Sequence, residues 1–138
     1  RMIIVLINWR VVPEKVPEFL EFWRSTLKLE NATGLVGEFL SKVEGTDFYK
    51  KVTWQIEPSQ NEGDKSFWKS ESYVSFVNVG IWETLSDFDA AVGPKMNSDP
   101  KFMNDYEAAP RRRAILSPEA WRVGASHLPR LSSDGVSA

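Results

Sequence analysis

The chain is predicted to fold as an α+β protein on one antiparallel sheet, in the split βαβ, ferredoxin-like order. Three observations lead there. Two long strand-like runs, MIIVLINWRVV (Met2–Val12) and ESYVSFVNVGIWE (Glu71–Glu83), have the apolar content of central strands. Each is followed by a segment of helical periodicity with its own start signal. The full order of elements reads β-α-β-(β)-β-α-β.

Met2–Val12 is β-branched and free of Gly and Pro. Both of its alternating faces are largely apolar, as in a strand covered on two sides, and Asn8 is the polar exception. Pro13 ends the strand, and Pro17 fits a helix's first turn, where its missing N–H costs nothing. Val16, Phe19, Leu20, Trp23 and Leu27 then recur at helical spacing. The helix is expected to end near Asn31–Gly34, with Gly34 as its left-handed terminal residue. Leu35–Glu44 reads as the next strand, and Gly45-Thr46-Asp47 as a turn. Phe48–Ile56 alternates well enough to be an additional strand. Glu57–Ser70 is polar and reads as a loop, although its Phe67 and Trp68 require burial. Together 45–70 form a hairpin insert.

In Glu71–Glu83, one face carries Val74, Phe76, Asn78, Gly80 and Trp82, the other Tyr73, Ser75, Val77, Val79 and Ile81. Thr84 or Ser86 caps the following helix, with Asp87 and Asp89 suited to its positive end. Gly93-Pro94 interrupts that pattern. A further helical piece is expected at Asp99–Ala108, and a last strand at Arg113–Val123, broken at Pro118. Residues 1–124 thus form one domain, and 125–138 a short polar tail.

The 138 residues suffice for one core, and 42% hydrophobic with 26% charged residues is a globular balance. A net charge of −2 gives no basic footprint for nucleic acid. The absence of cysteine removes disulfides and thiolate metal sites. One histidine, His127, leaves no metal set or Ser-His-Asp triad. No apolar run reaches membrane-spanning length, no leader is read ahead of Met2, and the expected location is the cytoplasm. Helices cover only one face of such a sheet, yet both faces of the first strand are apolar. A partner sheet is therefore expected on the second face, making a homodimer.

The segments INWRVVPEKVPEFLEFW, WETLSDFDAAV and SDPKFMNDYEAAP resemble the antibiotic biosynthesis monooxygenase family, over roughly Met2–Glu44 and Glu71–Val123. The resemblance implies a dimeric α/β barrel with a pocket between sheet and helices in each subunit. It also implies a cofactor-independent monooxygenase acting on a small aromatic or quinonoid compound. A haem-degrading branch uses a first-strand asparagine, a tryptophan ending the third strand and a histidine on the second helix. Asn8 and Trp82 match the first two, but the third position falls near Tyr106, and haem degradation is not expected.

Such oxygenation needs a deprotonated electron-rich substrate, an apolar cage, donors for an oxyanion and a proton route. Asn8, Trp82 and Tyr106 are the candidate catalytic residues. Arg10, one alternation beyond Asn8, is a candidate for substrate binding with Phe76, Asn78 and Phe102. No cofactor or metal is expected. The plainer readings are specific too. Asn8 can bond neighbouring backbone or pair with Asn78, Trp82 and Tyr106 can be packing residues, and Arg111–Arg113 can be a solvated run or attract an acidic substrate. The alternative function is a non-catalytic barrel that binds a small hydrophobic ligand or only scaffolds, its pocket filled by Phe76, Trp82 and Phe102.

Overall fold

In the computed structural model, which describes residues 1–27, 29–44, 65–98 and 105–124, six main elements follow in chain order. They are β1 (Ile3–Val11), α1 (Val16–Ser25), β2 (Leu35–Lys42), β3 (Val74–Trp82), α2 (Leu85–Ser98) and β4 (Glu107–Leu116). The strands form one sheet in the order β2-β3-β1-β4, with every neighbouring pair antiparallel. This is the α+β, ferredoxin-like arrangement.

The β1–β3 register decides what each face carries. It runs from Ile3 opposite Trp82 to Val11 opposite Val74. Directly opposed residues share a face. Ile3, Val5, Ile7, Trp9 and Val11 therefore lie with Trp82, Gly80, Asn78, Phe76 and Val74, and both helices pack there. Phe19 of α1 is fully buried against Trp9, Val11 and Phe76, and Phe88 of α2 packs on Ile3, Val5 and Trp82. On the opposite face Ile4, Leu6, Val77, Val79 and Ile81 are half-buried.

Several expectations are corrected. α1 ends at Ser25, and Gly34 instead forms the turn before β2, at φ +83°. α2 continues through Gly93 and Pro94. Pro94 is exposed, and so is Ala90, the residue whose carbonyl the missing Pro94 N–H would otherwise bond. The last strand starts at Glu107, so Glu107 and Ala108 are strand rather than helix. Ala108 and Ala109 look like helix formers but are buried against β1, where their small side chains let β4 close on the sheet. Pro110 is tolerated because β4 is an edge strand and its register with β1 shifts between Asn8 and Val11. Trp68 finds partial burial against Tyr73 and Arg10, but Phe67 is exposed. The expected strand at 48–56, Phe102 and the 125–138 tail lie outside the described residues. No helix among the described residues is long and apolar enough to cross a membrane.

Candidate functional site

A pocket opens on the helix-covered face. Its floor is the sheet: Val5, Ile7 and Trp9 of β1, Glu38 of β2, Asn78, Gly80 and Trp82 of β3, and Arg111 and Arg113 of β4. Trp23, Leu27 and Leu29 wall it on the α1 side, and Phe88 and Val92 on the α2 side. The cavity itself measures about 40 Å³, at the bottom of about 550 Å³ of non-atom space that includes the open mouth to solvent.

Asn78 organises the floor. It is 3% exposed, so its amide must be satisfied from within the protein or by a ligand. The Trp23 indole N–H donates to Asn78 Oδ1 at 3.0 Å. That bond fixes the amide orientation and turns its NH2 toward Glu38, whose carboxyl it bonds. Burial raises the Glu38 carboxyl above its ordinary 4.5, and the Asn78 hydrogen bond opposes the rise. An amide has two N–H donors, which leaves one beyond the Glu38 bond. The result is a chain from Trp23 through Asn78 to a carboxyl that holds its proton more tightly than usual.

Trp82 is 1% exposed and serves both core and pocket. Its ring meets Phe88 edge-on at 5.7 Å. A Cβ at residue 80 would stand 3.0 Å from Trp82 Nε1, so Gly80 makes the room in which the indole lies beside Asn78.

The β4 side of the pocket is cationic. Arg111 is ion-paired with Glu107 at 3.3 Å and lies 5.0 Å from the Trp9 ring centroid. Burial outweighs pairing in both partners, raising Glu107 and lowering Arg111 from their ordinary values. Arg113 lies 5.3 Å above the Phe88 ring.

Of the residues singled out in the sequence, Asn78 and Trp82 meet in this pocket. Asn8 does not join them, which corrects the expectation that Asn8 and Trp82 face one hollow. Asn8 opposes Val77, on the other face, and donates to Ser75 Oγ at 2.7 Å and to the Phe76 carbonyl at 3.0 Å. Arg112 donates to Asn8 Oδ1 at 2.9 Å. Arg10 shares that opposite face, buried under Trp68 and bonded to the Pro110 carbonyl. Phe76 lies on the pocket face but packs with Phe19 at 5.4 Å, outside the lining. Tyr106 packs on Phe22 at 5.3 Å and on Phe19 at 6.2 Å, also outside it. Glu38 and Trp23 were not evident as site residues. The available signal for Glu38 was a carboxyl two residues from Leu40, on the same face of a strand.

No protein-family model and no curated sequence matches the chain. Solved structures do. The NE2512 protein of unknown function from Nitrosomonas europaea superposes with a TM-score of 0.53 at 9% identity, over 91% of this chain and 96% of that one. SnoaB, a cofactor-independent oxygenase from Streptomyces nogalater solved as a mutant, gives 0.52 at 10% identity over 87% and 95%. A monooxygenase from the gene ActVA-Orf6 of Streptomyces coelicolor, bound to nanaomycin D, gives 0.55 at 10% identity over 89% and 92%. At these identities the likeness shows the fold.

Proposed function

We propose that this protein is a cofactor-independent oxygenase acting on a small, electron-rich aromatic compound, phenolic or quinol-like, in the pocket beneath its sheet. The observation that carries the proposal is the Trp23–Asn78–Glu38 chain beside Trp82, at the floor of a cleft with apolar walls. Two solved structures of this fold, described as oxygenases, support the reading at the level of fold.

The chemistry follows from the donor set. Glu38, once ionised, takes a proton from the substrate, and its raised affinity makes it a better base than an exposed carboxylate. The remaining Asn78 N–H stabilises the oxyanion that forms. Trp82, Trp9 and Phe88 hold the ring and exclude water from it. The deprotonated substrate then reacts with O2 itself. Oxygen adds at carbon, and loss of water from the hydroperoxide leaves a carbonyl. One oxygen atom enters the product, the other leaves as water, and the electrons come from the substrate. Mass spectrometry after incubation with a panel of anthrones and quinols under 18O2 tests this. One labelled oxygen per product molecule is expected. Unchanged substrate across the panel would leave a binding protein in place of an enzyme.

The assembly we propose is a homodimer. Ile4, Leu6, Val77, Val79 and Ile81 form an apolar band on the face opposite the helices. A second copy of the same sheet is the complementary cover, giving a dimeric α/β barrel with one pocket per subunit.

A further inference from the structure

Two donors of the pocket have no acceptor among the described residues. The Trp9 indole N–H is buried, the residue being 3% exposed, and no described residue accepts its hydrogen bond. A buried donor left unsatisfied costs free energy that a suitable acceptor restores. Arg113, exposed at the rim of the cleft, makes no hydrogen bond or ion pair among the described residues and lies over the Phe88 ring. Both residues line the same cleft. They come from neighbouring strands, β1 and β4, and Arg113 stands directly opposite Ile7, two residues from Trp9.

The far side differs. Glu38 is on β2, the other edge of the sheet, and Asn78 is between them on β3. The two edges are three strand spacings apart, about 14 Å. One end of the floor thus offers an uncompensated cation and an idle N–H. The middle and other end offer an amide and a carboxyl whose proton affinity burial raises. The Arg111 charge, by contrast, is answered by Glu107.

We infer that the ligand is an anionic aromatic compound, bearing a ring carboxylate that takes the Trp9 N–H and the Arg113 guanidinium. Its hydroxyl or carbonyl, at the opposite end, meets Asn78 and Glu38. This rests on the pocket being the ligand site and names the class of ligand it selects. A neutral compound of the same shape leaves the buried Trp9 N–H without a charged acceptor and the exposed Arg113 guanidinium to water. Charge-assisted hydrogen bonds are about twice as strong as neutral ones, so the carboxylate provides the discrimination.

Calorimetry under argon, without turnover, tests it with 6-hydroxy-2-naphthoic acid and its methyl ester. The acid is expected to bind at least about tenfold more tightly than the ester, a difference of one such hydrogen bond. Arg113→Met should bring the two within about threefold, and Arg113→Lys should keep most of the preference. Arg112→Met, on the opposite face, should leave the ratio unchanged. Equal binding of acid and ester by the wild type, no binding of either, or a ratio indifferent to Arg113→Met would overturn the inference. Absence of oxygen uptake with an intact acid preference would refute the oxygenase alone. Labelled product with equal binding of acid and ester would refute the acid preference alone.

Discussion

Asn8 and Asn78 lie on opposite faces of the two central strands. Asn8 opposes Val77, and Asn78 opposes Ile7, so one step in register separates an amide on the open face from an amide in the pocket. The open-face amide is occupied with Ser75, the Phe76 carbonyl and Arg112. The pocket amide links Trp23 to Glu38.

Asn78→Ala strips partners from both the Trp23 indole and the Glu38 carboxyl. Leaving buried polar groups unsatisfied costs about 1–3 kcal/mol each. With two such groups, denaturant titration should show a loss of about 2–6 kcal/mol, and ligand affinity should fall with it. A variant as stable as the wild type would mean that the two bonds contribute nothing.

Glu38 titration has a defined sign. Its carboxyl is raised above 4.5 in the folded protein, so the folded state binds the proton more tightly than the unfolded chain. Its contribution to stability is full at low pH and declines as pH rises from the unfolded value to the folded one. Glu38→Gln removes this titration. As pH rises above 4.5, the stability of the wild type should fall relative to Glu38→Gln, levelling once Glu38 has ionised. A constant difference across the range would contradict the raised affinity. Turnover should rise with pH over the same interval, since the base must first lose its proton.

Gly34 combines φ +83° with a close approach: a Cβ there would stand 2.2 Å from Asp87 Oδ2 and 2.6 Å from Asp87 Cβ. Asp87 is in the first turn of α2, where its backbone N–H donates to Thr84 Oγ1 at 3.0 Å and its carboxylate accepts the Thr84 hydroxyl at 2.9 Å. Gly34→Ala should therefore strain the turn and disturb the cap together. A cost of about 1–3 kcal/mol is expected in thermal or chemical unfolding. A neutral effect would mean that the turn relaxes freely.

The open face gives the oligomer test. Leu6→Asp or Val79→Asp places a charge in the apolar band without touching the pocket floor. Light scattering of the wild type should give twice the chain mass, and either variant should give the monomer. A monomeric wild type at micromolar concentration would remove the dimer.

The architecture was legible because its signals are local and strong. Long apolar runs rich in β-branched residues at Ile3–Val11 and Val74–Trp82 marked the two central strands, and the Thr84 hydroxyl, one of two cap candidates, marked the start of α2. Trp82 and Asn78 were legible as neighbours in one pocket lining because they share one face of one strand. Asn8 was misplaced because both faces of β1 are apolar, so composition could not tell which one the helices cover. Tertiary register decides that, as it decides the burial of Glu38 from the neighbouring strand. Ala108 and Ala109 carry no strand signal of their own and become strand by pairing with β1. Tyr106 looked like an inner helix residue, but it packs on Phe19 and Phe22 at the entrance to β4.

Oxygen uptake by Asn78→Ala and Asn8→Ala, side by side with an anthrone substrate, puts the pocket itself to the test. Asn78→Ala should lose about 100-fold or more in turnover, the scale of a removed oxyanion donor, while Asn8→Ala stays within a few-fold of wild type. Full activity in Asn78→Ala with its loss in Asn8→Ala would move the chemistry to the other face of the sheet and contradict the site described above.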